Sequence, residues 1–139
     1  TIAVMQAGQL LQIGAPSKLY RQPQHPDVAA FLGELNSLTA EAEGTLAHTP
    51  IGTVPLPQPK RGTVTVYIRP ESIALHQDTP EPNATVIQTR FYGHYQIVTV
   101  QTTDGINLDV RVWAHDTYTV GESVHATIVG DTILFDTPQ

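Results

Sequence analysis

The chain has 139 residues, of which 40% are apolar and 14% charged, with a net charge of −6 and no cysteine. Such a composition excludes a disordered chain and a disulfide scaffold, and its seven Lys and Arg argue against a polyphosphate or nucleic-acid partner. No apolar run approaches the roughly 18 residues of a membrane span, and the start, T-I-A-V-M-Q-A-G, has neither the flank of a secretion signal nor an initiating Met, so a piece of a longer protein is expected.

Apolar runs at Ile2 to Met5 and Leu10 to Ile13, divided by Ala7-Gly8, predict a hairpin. Pro16 and Pro26 each suit the first position of a short helix, where a missing N–H costs nothing. In the second helix Val28, Phe31 and Leu32 fall on one face, and Gly33 suits its end. From Leu35 helical signals fade. Residues 35–43 and 44–48 read as two short strands, and 50–62, with four prolines, as an extended loop with at most an edge strand.

The stretch V-T-V-Y-I-R-P-E-S-I-A-L, residues 64–75, is the centre of the chain. Val64, Val66 and Ile68 alternate with Thr65, Tyr67 and Arg69, the period of a half-buried strand. Pro70 ends the ladder, having no N–H to donate. Glu71 and Ser72 then form one tight helical turn, and Ile73 and Leu75 return to the core. A buried strand so delivers Arg69 and Glu71 to a rigid corner. An ion pair, a ligand contact and a subunit contact are the roles open to them. Catalysis is not, because no nucleophile or paired base stands beside them.

After a loop at 76–83, residues 85–92 form a strand broken at Gly93, a bulge or barrel corner. Tyr95 to Thr102 and Ile106 to Val112 flank Thr103-Asp104-Gly105, a strong hairpin signal. Val124, Ala126 and Ile128 alternate, Gly130-Asp131 turns, and Ile133 and Phe135 close the sheet. Eight or so short strands predict an all-β fold, a small antiparallel barrel or sandwich.

Val4, Met5, Gly8, Gln12, Gly14, Pro16, Tyr20, Pro23, Ala30, Phe31, Gly33 and Asn36 fit the pattern that closes the ATPase domain of bacterial ABC importers, and residues 2–36 resemble that segment. The remainder resembles the C-terminal TOBE domain of the same subunits, an OB-like barrel, through Arg69-Pro70-Glu71 and the turn Phe91-Tyr92-Gly93-His94-Tyr95. The most similar subgroup serves ferric iron, sulfate, polyamine and sugar importers. The resemblance implies residues 1–34 as an ATPase tail and 35–139 as a TOBE-type regulatory barrel. It implies a parent that uses ATP and magnesium, sits at the cytoplasmic side of the cell membrane, contacts membrane permease subunits, and pairs with itself through its regulatory domains.

The chain holds no G-x-x-x-x-G-K-[ST] loop, L-S-G-G-Q signature, magnesium-binding acidic strand end or switch histidine, so it is expected neither to bind nor to hydrolyse ATP. No cofactor, metal or nucleic acid is expected on it. The structural and interface candidates are Arg69, Pro70, Glu71 and Gly93. His25, His48, His76, His94, His115 and His125 show no metal-motif spacing and read as scattered surface or cap residues; whether His94 and His115 meet across the barrel is not legible from spacing. Glu41, Glu43, Asp104, Asp109 and Asp131 read as solvated. Asn83-Ala84-Thr85 is a glycosylation sequon, discounted without a secretion signal. Tyr92, Tyr95 and Trp113 are possible stacking platforms for single-stranded nucleic acid, but the acidity points to core or interface packing. The expected function is regulation and dimerisation of an importer ATPase, with binding of a small ligand or oxyanion as the alternative.

Overall fold

A computed structural model describes residues 1–130 and 132–134. β1 (Ile2–Gln6) and β2 (Gln9–Gly14) form the expected hairpin. Its turn residues Ala7 and Gly8 have φ of 51° and 78°, the left-handed pair of a two-residue hairpin loop. α1 (Pro16–Arg21) and α2 (Pro26–Leu32) each open on proline. Val4, Leu19 and Val28 bury one another, with Leu11 and Leu32 packed at the edge. Phe31 departs from expectation and is 78% exposed. Val28, Ala29 and Leu32 centre the inward face, and Phe31, one step round the helix from Val28 on the side away from Ala29, falls outside that arc.

The chain then enters two long strands, β3 (Asn36–Thr49) and β4 (Gly52–Ile68), paired antiparallel. One expectation needs correction here. The two short strands of 35–48 are one strand, kinked at Gly44, where φ is 69°. The stretch 50–62, expected as an extended loop with at most an edge strand, is for most of its length the second of these, the outer half of β4. Among the described residues that half has β3 on one side only, with β10 (Thr132–Ile133) paired to Tyr67 and Ile68, so Pro55, Pro57 and Pro59 are tolerated. The register shifts between Gly44 and Leu46, so that part of the proline run bulges from the ladder. The segment also carries core: Ile51, Val54 and Leu56 are buried with Ala47.

A 3-10 turn, Pro70–Ser72, leads into β5 (Ile73–His76). β6 (Ala84–Phe91), β7 (Tyr95–Thr102), β8 (Asn107–Trp113) and β9 (Ser123–Ile128) complete a five-stranded sheet in the order β5-β9-β6-β7-β8. It faces the three-stranded β10-β4-β3 sheet across one apolar core. Leu38, Ala40 and Ala42 point in from β3, while Ser37, Thr39, Glu41 and Glu43 point out, the period of a half-buried strand. Val66, Ile68 and Ile73 enter from the central stretch, and Val86, Val98, Val100, Leu108, Val110 and Val124 from the larger sheet. The result is a small OB-like antiparallel barrel preceded by a hairpin and two helices. Asp131 and Phe135 lie outside the described residues.

Two asparagines close the barrel by imitating backbone. The Asn36 side chain donates to the Asp109 carbonyl and accepts from the Asp109 N–H, both at 2.8 Å. It thereby binds the start of β3 to the edge of β8. Asn83 does the same to Ala126 of β9, at 3.0 and 2.7 Å. Both amide ends of Asn83 are spent in the fold, which gives the sequon a structural use.

Candidate functional site

Arg69 is 3% exposed, and its guanidinium leaves the barrel to enter the helical segment. Nη1 donates to the carbonyls of Ala29 and Gly33, both at 2.9 Å, and of Glu34 at 3.3 Å. Nη2 donates to the Tyr20 carbonyl at 3.2 Å, and the guanidinium carbon lies 4.1 Å from the centre of the Tyr20 ring. The last carbonyls of a helix have no partner within it and carry partial negative charge. α2 has no basic residue in its last turn. Arg69 supplies that cation from a distant part of the chain, and its flat fork suits several acceptors at once.

Glu71 does not turn to Arg69. It accepts a hydrogen bond from the Tyr20 hydroxyl. The corner's base and acid therefore grip opposite ends of one side chain: Arg69 the backbone and ring face of Tyr20, Glu71 its hydroxyl. Burial, with the Glu71 hydrogen bond and charge added, pushes the Tyr20 phenol up to about 12. Burial also pulls the Arg69 guanidinium below its ordinary value, against the opposing influence of Tyr20 and Glu71. Gly33 lets this close approach occur, since a Cβ there would stand 3.3 Å from Arg69 Nη1 and 3.4 Å from Tyr20 Cε1. On the other side, Ser72 accepts the Val129 N–H at 2.8 Å and presses on Gly130, whose missing Cβ would lie 2.8 Å from the Ser72 Cβ.

Beside the corner lies a cleft of about 770 Å³ between α1 and the barrel. Tyr20, Leu32 and Ile133 give it apolar walls, and Arg21, Glu71 and Ser72 polar ones. Gly93 is not among the residues that line this cleft. It sits in the β6–β7 turn with φ of 98° and open space where a Cβ would go.

That turn carries the chain's aromatic group. Tyr92 and Tyr95 stack at 5.2 Å, His94 meets Tyr95 edge-on at 5.1 Å, and Arg111 lies 4.1 Å over the Tyr95 ring. Trp113, opposite Tyr95 on β8, stacks on His115 at 6.1 Å. Phe91 and Trp113 are each 69% exposed, so these rings form surface, not core. His94 and His115 thus each pack on an aromatic neighbour; the histidines that lie beside one another are His76 and His125, their ring centroids 6.3 Å apart. Asp109 also differs from expectation. It is half-buried, accepts from Thr99 Oγ1 at 2.6 Å and forms an ion pair with Arg90 at 3.4 Å. Glu41, Glu43 and Asp104 are exposed as expected.

The Tyr20, Asn36 and Asp109 contacts are invisible to local pattern. Tyr20 and Asn36 had one signal, their place among the fixed positions of residues 2–36. Gln12, another, accepts from the Gln24 N–H at 2.9 Å and holds the loop between the helices.

An OB-like barrel whose Arg-Pro-Glu corner is pinned to a preceding helical segment is a TOBE-type domain: residues 66–135 match the TOBE domain family, and the chain belongs to it. Its relatives include the Fe(3+) ions import ATP-binding protein FbpC of Yersinia pestis bv. Antiqua (strain Antiqua), 34% identical over 142 residues, covering 96% of this chain and 41% of that protein. FbpC 2 of Pectobacterium atrosepticum is 30% identical over 141 residues, covering 96% and 41%. FbpC 1 of Rhodococcus jostii is 30% identical over 140 residues, covering 96% and 40%. The chain thus spans about two fifths of the length of these relatives. Among solved structures, the cytoplasmic molybdate-binding protein ModG, with molybdate bound, superposes with a TM-score of 0.58 at 16% identity, over 72% of this chain and 94% of that one. That likeness is one of fold. No helix among the described residues is long and apolar enough to cross a membrane.

Proposed function

We propose that this chain is the regulatory and dimerisation part of an ABC importer ATP-binding subunit, whose parent couples ATP hydrolysis to solute uptake, ferric iron being the solute its relatives' names suggest. The observation that carries the reading is the Arg69 pin. It fixes the barrel to residues 1–34, which we assign as the tail of the ATPase domain. A barrel fastened in this way moves with its ATPase domain, so pairing two barrels holds two ATPase domains together. Met5, Leu10, Ile13 and Phe31, between 56% and 78% exposed, supply an apolar face for the rest of that domain. Phe91, Tyr92 and Trp113, beside the edge strand β8, supply one for a second barrel. The catalytic residues, ATP and magnesium belong to the parent, which works at the cytoplasmic face of the membrane with its permease subunits. Sedimentation at high micromolar concentration tests the pairing: a nucleotide-independent dimer is expected, and a strictly monomeric profile contradicts it.

The cleft beside Tyr20 favours a second reading, a barrel that binds a small regulatory ligand. Its volume lies in the range of small-molecule sites. Calorimetry with molybdate, sulfate, ferric iron and sugars separates the two, since saturable heat from one of them is expected only of a ligand-binding barrel.

A further inference from the structure

We propose that His76 and His125 form a two-histidine site for a divalent first-row transition-metal ion. They lie far apart in the chain, so no sequence motif joins them. The antiparallel pairing of β5 with β9 sets them directly opposite one another. Residues facing each other across such a pair have their Cβ atoms about 4.5–5.5 Å apart. Their ring centroids are 6.3 Å apart, with the planes 44° from parallel. Two imidazoles on one tetrahedral ion, with metal–nitrogen bonds of about 2.0–2.1 Å, place their centroids roughly 5 Å apart. Rotation of His76, which is exposed, closes that difference.

The hydrogen bond of His125 to a carbonyl sets the tautomer that ligation needs, and that of His76 to a hydroxyl is compatible with it. His125 Nδ1 lies 2.7 Å from the Glu81 carbonyl oxygen. A carbonyl can only accept, so Nδ1 carries the proton and Nε2 keeps a free lone pair. This is the usual support of a metal-bound histidine, whose second nitrogen donates to a carbonyl or carboxylate. His76 Nε2 lies 3.2 Å from Thr127 Oγ1. With the hydroxyl accepting from Nε2–H, His76 Nδ1 is the nitrogen left for the ion. Among the described residues no cluster of three or more His, Cys, Asp or Glu could hold a metal, so water fills the other positions. Imidazole suits copper, nickel and zinc, and copper binds most tightly in that series. β5 is an edge strand immediately after the Arg69–Glu71 corner. A bound ion would tie it to β9 and stabilise the folded chain by mass action.

The test is titration of the intact chain with Cu²⁺, Ni²⁺ and Zn²⁺, followed by calorimetry and thermal unfolding. One equivalent should bind and raise the melting temperature, with Cu²⁺ tightest. His76→Ala and His125→Ala should each weaken Ni²⁺ and Zn²⁺ binding at least tenfold, while His115→Ala should change it less than twofold. Imidazole ¹⁵N spectra with Zn²⁺ provide a readout that needs no variant, and should move the resonance of His125 Nε2. Absence of saturable binding, unchanged affinity in both variants, or a Zn²⁺ shift at other histidines only would each overturn the proposal.

Discussion

The Arg69 guanidinium carbon lies 4.1 Å from the centre of the Tyr20 ring and Nη2 donates to the Tyr20 carbonyl at 3.2 Å, so one residue of the barrel holds both the ring and the backbone of one residue of α1. The same group caps the end of α2 through Ala29 and Gly33. Arg69→Ala leaves these carbonyls without their donor and should cost about 2–4 kcal/mol. Arg69→Lys should recover less than half, because an ammonium cannot reproduce the planar fork. Urea denaturation of the three proteins measures both, and a loss below about 0.5 kcal/mol for Arg69→Ala would contradict the pin.

Tyr20 makes the junction sensitive to alkali. Its phenol is pushed up to about 12 in the folded chain, against an ordinary 10.0. The folded state holds that proton more tightly than the unfolded one. The resulting stability is complete below about pH 10 and is lost as the pH rises to about 12. Tyr20→Phe has no proton to lose, so its stability should fall less steeply across this window. Parallel slopes for the two proteins in pH-resolved denaturation would rule out the phenol as the cause.

The corner was legible in the sequence because it is local. Alternation through Ile68, a proline that cannot continue a ladder, and apolar Ile73 define strand, turn and strand over a few residues. Its partners were not, since Ala29, Gly33 and Tyr20 reach Arg69 only through tertiary packing. The same limit hid the pairing of His76 with His125 and the binding of Asn36 to Asp109. The proline run reads as a loop with at most an edge strand, and the edge strand is what forms. Proline forbids a ladder bond on one side of a strand, and the outer half of β4 needs bonds on one side only. Phe31 shows that a face read from a seven-residue helix is too short to settle which arc turns inward.

Asn36 and Asn83 act as side-chain imitations of a paired peptide. Asn36→Ala should cost about 1–3 kcal/mol, as it leaves both the N–H and carbonyl of Asp109 without these partners. Asn36→Asp keeps an acceptor and loses the donor, so it should also destabilise. Amide exchange at Asp109 should quicken in both, while Ala126, held by Asn83, should keep its protection. Equal loss at the two sites would mean that the clips are not independent.

Gly130 and Ser72 test the packing behind the corner. A Cβ on Gly130 would stand 2.8 Å from the Ser72 Cβ and 3.2 Å from its Cα. Gly130→Ala should therefore cost about 1–3 kcal/mol through overpacking. Ser72→Gly removes the nearer atoms and should return part of that loss in the double variant. Additive effects of the two changes would show that they do not meet.

Amide hydrogen exchange of the wild type and Arg69→Ala, compared residue by residue, measures most directly whether Arg69 fastens the helical segment to the barrel. Protection of α2 should fall at least tenfold in the variant, with the central barrel amides of β7 keeping theirs. Unchanged protection across Pro26–Leu32 would show that the segment is held by other contacts, and the barrel would lose its proposed rigid link to residues 1–34.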